Sequence, residues 1–142
     1  MSVVINLDDV KARAAEVERE SLRKAMESMK KREAHEEDLH AAFLHEDLNP
    51  AWREKLSRSI LNAVEHHLSE VQVMRFPSSW CSDKGRAINN FEPDWPKTLT
   101  GMAARAWEVY EKELKPLGYK AKAQILNFPG GMPGDVGLFI HW

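Results

Sequence analysis

The spacing of apolar and polar residues separates a long, weakly patterned first third of the chain from a strongly patterned remainder. Residues 7–48 contain no proline or glycine, and the good helix formers Ala, Glu, Lys, Arg, Met and Leu dominate. Asn6 can cap the start, and Asp8 and Asp9 lie where the helix dipole favours negative charge. The pattern predicts a long helix from near Leu7, either unbroken or with a break near residues 34–35.

The apolar residues of this first predicted helix form a thin stripe that drifts around its axis instead of keeping a strict seven-residue repeat. A helix this polar cannot anchor itself in a core. We therefore expect either a solvated arm or contact with a partner helix along a narrow seam, and the pattern leaves both open. The stripe consists of Val10, Ala14, Val17, Leu22, Ala25, Met26 and Met29.

A second helix is predicted to open at Asn49-Pro50, because Asn caps well and Pro fits the first helical position. Apolar residues then recur at steps of three and four, which is typical of an amphipathic helix. We expect the face they form to be core. Its residues are Trp52, Leu56, Ile60, Ala63, Val64, His67 and Leu68.

The rest of the chain alternates between strand and helix patterns. Residues 70–76 are rich in Val and Phe and predict a strand, and residues 99–114 have helical spacing. Residues 119–128 alternate between apolar and polar, as a strand with one wet side does. Three glycines and two prolines in residues 129–135 predict a turn, so residues 136–142 are expected to return as the second strand of a hairpin.

These elements predict an α+β fold in the order α-α-β-α-β-β. We expect residues 1–48 to form a charged N-terminal helical arm. Residues 49–142 are expected to form a compact α+β domain, in which two helices pack on a three-stranded sheet that ends in a C-terminal antiparallel hairpin.

Composition excludes several classes of protein and names no partner. Twenty basic and 22 acidic side chains give a net charge of −2, which disfavours steering of nucleic acid or an anionic membrane surface. Cys81 is the single cysteine, so an intramolecular disulfide and a thiolate-rich zinc site are excluded. The start lacks the pattern of a signal peptide, and no apolar run reaches membrane-spanning length. We therefore expect a cytoplasmic protein.

A strand-helix-strand crossover normally makes its two strands parallel, so the loops 77–97 and 129–135 are expected to face each other. Ligand sites favour such a rim. The candidate ligand-binding residues are Cys81, Asp83, Lys84, Arg86, Asn89, Asn90 and Asp135. Alternatively, the polar residues of the first loop satisfy turns and caps. Cys81 would be nucleophilic only with a lowered pKa, and otherwise it is a small buried hydrophobe.

No catalytic, metal or cofactor signature is present. Glu37 and His40 have the spacing of a carboxylate-bridged metal motif, but the second copy that this motif needs is absent. We expect a non-enzymatic protein-interaction or regulatory module, whose N-terminal helix contacts a protein partner or a second copy of the chain. The alternative is a small-ligand-binding protein or small enzyme that uses the loops 77–97 and 129–135.

Overall fold

The first helix, α1, spans Leu7–His45 in a computed structural model that describes residues 3–142. Its start is where the sequence predicts it, since the side-chain oxygen of Asn6 accepts the N–H of Asp8 at 2.8 Å. The helix continues through residues 34–35 without a break. Among residues 3–142, no helix combines the length and apolar content that crossing a bilayer requires.

The chain folds as two compact units. The first ends at Ala41, and the second spans Ala42–Trp142. The last turn of α1 belongs to the second unit. There the buried ring of Phe43 packs against Phe76 and Trp80, with ring centroids 5.2 Å and 4.8 Å away. This aromatic contact places the end of α1 within the core of the second unit.

The second unit has the predicted order of elements, with one short helix added. A π-helical turn, Tyr110–Leu114, prolongs the last of its helices. The α+β fold with a three-stranded sheet and a C-terminal hairpin is therefore confirmed. The elements are α2 (Trp52–Glu65), β1 (Glu70–Pro77), α3 (Arg86–Asn89), α4 (Gly101–Val109), β2 (Lys120–Ile125) and β3 (Asp135–His141).

The sheet has the order β1-β3-β2, and β3 runs antiparallel to both neighbours. Its residue Val136 lies between Phe76 and Ile125, and its residue Ile140 lies between Val71 and Ala121. Strands β1 and β2 therefore point the same way, as the crossover predicts, although β3 is inserted between them.

One face of the sheet is buried under the helices. Val136 and Leu138 of β3 are buried there, together with Ala103 of α4. A small residue such as Ala103, which is fully inaccessible, allows the backbone of α4 to approach the sheet. The same packing of apolar side chains supplies most of the free energy that stabilises a unit of this size.

The prediction that the whole apolar side of α2 is core is wrong in part. Leu56 and Ala63 are buried, but Val64 keeps 50% of its area exposed. Leu68, which follows the helix, is 57% exposed. The residues that share the apolar side thus span a wider arc than the sheet covers.

A glycine allows the end of α1 to meet the start of α4. Gly101 has a φ of +55°, and a Cβ built on it would lie 2.3 Å from the carbonyl oxygen of Phe43. Arg105, one turn later, donates hydrogen bonds to the carbonyl oxygens of Leu44 and Glu46 at 2.9 Å and 2.8 Å. Because the last carbonyls of a helix lack intrahelical partners, Arg105 caps the C-terminus of α1.

Candidate interaction surface

Every residue of α1 from Leu7 to Leu39 is exposed, including the residues of the predicted apolar stripe. Val17, Leu22 and Met26 keep 50%, 62% and 52% of their area accessible. Single exposed apolar residues are ordinary, whereas apolar residues that follow one another along a helix mark contact surfaces. At about 100° per residue, Val17 lies about 140° around the helix from Leu22, so the row winds around α1. This winding apolar row is the first candidate site of this chain.

Ion pairs on α1 are local and lie between successive turns. Arg23 bonds to Glu20 and, at 2.7 Å, to Glu27, and Arg13 bonds to Glu16 at 3.1 Å. The hydrogen bond to Glu20 raises the pKa of the Arg23 guanidinium above its ordinary value. Pairs three and four residues apart support a helix without tertiary contacts.

A second group of exposed apolar residues lies on α2 and just after its end. Leu61, Val64 and Leu68 are 64%, 50% and 57% exposed, at spacings of three and four residues. The sequence pattern assigned Val64 and Leu68 to the core and did not single out Leu61. These residues are as apolar as the buried Leu56 and Ala63 and differ from them in how much of their area the rest of the unit covers.

The two loops predicted to face each other do meet, at the end of the sheet where β1 and β2 finish. The backbone N–H of Ser78 donates to Gly134 at 2.9 Å, and the Ser78 hydroxyl donates to the carbonyl oxygen of Pro133 at 3.0 Å. A Cβ on Gly85 would lie 2.8 Å from that of Ser78 and 3.7 Å from Cδ1 of Ile125. The loops are thus packed together around Ser78.

Asp83 uses both carboxylate oxygens within its own loop. Oδ1 accepts the N–H of Gly85 at 3.0 Å, and Oδ2 accepts the N–H of Ala87 at 2.8 Å. These contacts satisfy N–H groups at the start of α3, which would otherwise lack helical partners. The role of Asp83 in the structure is therefore that of a cap, as the structural alternative for this loop supposes.

Cys81 is buried, with 4% of its area exposed. Burial raises the pKa of its thiol to about 11, the negative charge of Asp83 adds to this, and a hydrogen bond with Thr98 acts in the opposite direction. A thiol with a raised pKa stays protonated near neutral pH, and the thiolate is the nucleophilic form. This environment is that of a small buried hydrophobe.

The other candidate ligand residues lie at the surface of the same end of the unit. Lys84, Arg86 and Asn90 are exposed, and Asn89 is half-buried. Asp135 accepts a hydrogen bond from Nε of Arg75 at 2.8 Å. The loops therefore bring the predicted residues to one end of the sheet. Two of them, Asp83 and Asp135, accept hydrogen bonds from neighbouring groups of the protein itself.

A small cavity lies between the helices and the buried face of the sheet. Its volume is about 20 Å³, which is about the space of one water molecule, and its wall is almost entirely apolar. Trp95 packs edge-on against Trp107 beside it, with ring centroids 5.1 Å apart. A cavity of this size is a packing gap and not a substrate site.

Metal-ligating side chains do not converge within residues 3–142. No group of three or more His, Cys, Asp or Glu residues in that range is arranged to hold an ion. Glu37 and His40 lie on one unbroken helix, where His35 and His45 point in other directions because each residue turns the helix by about 100°.

Comparison with known proteins adds no functional assignment. The chain matches no protein-family model, and the searches of curated proteins and of solved structures found no similar chain. The candidate surfaces are therefore judged by their own geometry and chemistry.

Proposed function

We propose that the protein is a non-enzymatic interaction module, in which the exposed apolar row of α1 binds a protein partner and Ala42–Trp142 is the folded domain joined to it. The observation that supports this most is the exposure of α1: a helix of 39 residues leaves all seven stripe residues accessible. Good helix formers alone explain a helix, but not a row of Val, Leu and Met along it.

The energy available from this row is enough for binding. Completing the burial of a half-exposed Val, Leu or Met side chain stabilises a complex by roughly 1 kcal/mol. Val10, Val17, Leu22, Met26 and Met29 are each between 42% and 62% exposed. Together they offer several kcal/mol, from which association and side-chain ordering subtract. A partner that follows the row around the helix and covers it would therefore form a moderate contact.

A photoreactive side chain on the row tests this proposal directly. We replace Leu22 with a benzophenone amino acid and irradiate cells that produce the protein natively. The matched control has the same replacement at Lys31, which is exposed and lies about 180° around the helix from Leu22. We expect a covalent protein adduct with the Leu22 probe and little with the Lys31 probe. Equal labelling at both positions, or none at Leu22, contradicts the proposal.

The alternative of a ligand site between the loops 77–97 and 129–135 has less support. The loops meet as expected, but the contacts described above bond Asp83 and Asp135 to protein groups and bury Cys81. The interaction role of α1 is therefore the function that the geometry favours.

A further inference from the structure

Three large apolar side chains in the middle of α1 form a compact patch within the winding row. Leu22, Met26 and Met29 follow one another at steps of four and three residues. At about 100° per residue, Met26 and Met29 lie within about 40° and about 20° of Leu22 around the helix. Their exposed fractions are 62% for Leu22, 52% for Met26 and 53% for Met29. We call these three residues the α1 patch, and two of its side chains are thioethers.

Neither helix formation nor apolar area requires methionine in the α1 patch. Leu and Met have nearly equal helix propensities, and the burial of either side chain stabilises a complex by a similar amount. Methionine differs from leucine in its sulfur atom, which a peroxide converts to a sulfoxide. The patch therefore combines a contact surface with two groups whose polarity changes on oxidation.

Differences in burial separate the methionines of this chain. Met74 and Met102 are half-buried and pack against the core of the second unit. Met132 is 69% exposed, but it lies in the hairpin loop and not on α1. Because an oxidant must reach the sulfur atom, we expect Met26, Met29 and Met132 to react before the two half-buried methionines.

We propose that Met26 and Met29 are a modification site, at which oxidation by a hydroperoxide switches off partner binding by α1. The inference rests on the proposed function, since it describes the regulation of that same surface. In each reaction the O–O bond of the peroxide breaks and one of its oxygen atoms forms a bond to the methionine sulfur. The other oxygen leaves as water, or as an alcohol when the peroxide is organic. The sulfur loses two electrons, and the peroxide gains them.

Oxidation changes the patch from apolar to largely polar. A sulfoxide in contact with the apolar surface of a partner loses its hydrogen bonds to water, and this loss opposes binding. Leu22 is unchanged, so we expect binding to weaken on the order of tenfold and not to disappear. The ion pairs of Arg23 with Glu20 and Glu27 do not involve the sulfur atoms, so α1 itself should remain helical.

Peptide mass spectrometry tests where oxidation occurs. The purified full chain is treated with hydrogen peroxide for increasing times and then digested. We expect Met26 and Met29 to gain one oxygen atom each before Met74 and Met102 do. Oxidation of all four residues at the same rate overturns the inference, because α1 would then offer no preferred site.

The photoreactive probe at Leu22 tests the switch. The chain with this probe is oxidised, freed of peroxide, mixed with an extract of cells that produce the protein natively, and irradiated. We expect about tenfold less adduct than from the untreated chain, and treatment with methionine sulfoxide reductases should restore it. A chain with Met26→Leu and Met29→Leu should form the same amount of adduct with and without peroxide. Met132→Leu is the matched control and should leave the chain sensitive.

The outcomes separate this inference from the proposed function. If peroxide does not reduce the adduct, or reduces it equally in the chain with both Leu replacements, the switch is wrong and the interaction role stands. If the Leu22 probe gives no adduct before oxidation, both are wrong. A loss of helical circular dichroism that matches the loss of adduct also overturns the inference, because oxidation would then act by unfolding α1.

Discussion

Replacing Gly101 by alanine tests how closely the end of α1 packs on the start of α4. A Cβ there would lie 2.3 Å from the oxygen of Phe43 and 2.9 Å from Cα of Leu44, and the φ of Gly101 is +55°. Both neighbours are backbone atoms, so a change of side-chain rotamer cannot relieve the clash. The left-handed conformation costs alanine about 1–2 kcal/mol, and overpacking adds roughly 1–3 kcal/mol.

We therefore expect Gly101→Ala to lower the free energy of unfolding by about 2–5 kcal/mol. Gly118→Ala is the matched control, because its φ is +99° and no atom lies within 4 Å of the added Cβ. It should cost only the conformational part, about 1–2 kcal/mol. Urea unfolding followed by tryptophan fluorescence measures both, since all five tryptophans lie after residue 50. Equal losses in the two variants would refute the close contact.

Three further predictions concern the loop that contains Cys81. Because burial raises the pKa of this thiol to about 11, a thiol reagent near neutral pH should modify the folded chain far more slowly than the urea-unfolded chain; equal rates would contradict its burial. Between its ordinary pKa of 9.0 and about 11 the folded state keeps the proton that the unfolded state loses, so the free energy of unfolding should fall as pH rises above about 9. The fall should be smaller in Cys81→Ala, and identical pH curves would show that the thiol does not contribute. Asp83→Ala should cost about 1–2 kcal/mol in urea unfolding and Asp83→Asn less, whereas equal losses would count against capping by the side-chain oxygens.

The directions of β1 and β2 could be predicted from the order of elements. A strand, a helix and a strand in one sheet form a crossover that sets both strands in the same direction. The position of β3 between them follows less directly, because a hairpin partner can lie on either edge of β2. Its alternating apolar residues Val136, Leu138 and Ile140 showed which side is core, but not which neighbours it has.

The depth of packing on α2 could not be read from spacing. Relative to the buried Leu56, Val64 lies about 80° around the helix, if each residue adds about 100°. Leu68 lies beyond the end of α2 and after His67, whose φ is +60°. Spacing shows that such residues share a side, whereas the width of the covered arc depends on the neighbouring elements. Leu56 and Ala63, within about 20° of each other, are the buried pair.

The loop chemistry was ambiguous in sequence for a physical reason. A carboxylate such as that of Asp83 can accept hydrogen bonds from a ligand or from the N–H groups of its own loop. The residue type alone does not distinguish these two roles. The distances to Gly85 and Ala87 depend on how the loop folds against Ser78. A ligand role for the exposed Lys84 and Arg86 remains a prediction.

Helix formation and the proposed partner binding depend on different residues of α1. The ion pairs of Arg23 with Glu20 and Glu27 support the helix from within one chain. A sequence of good helix formers this long exceeds the length at which isolated helices are marginal. We therefore expect Val17→Gln to weaken the proposed partner binding while the circular dichroism of the helix is unchanged. A loss of helicity in the unbound variant would mean that Val17 is needed to form the helix, and would contradict this separation.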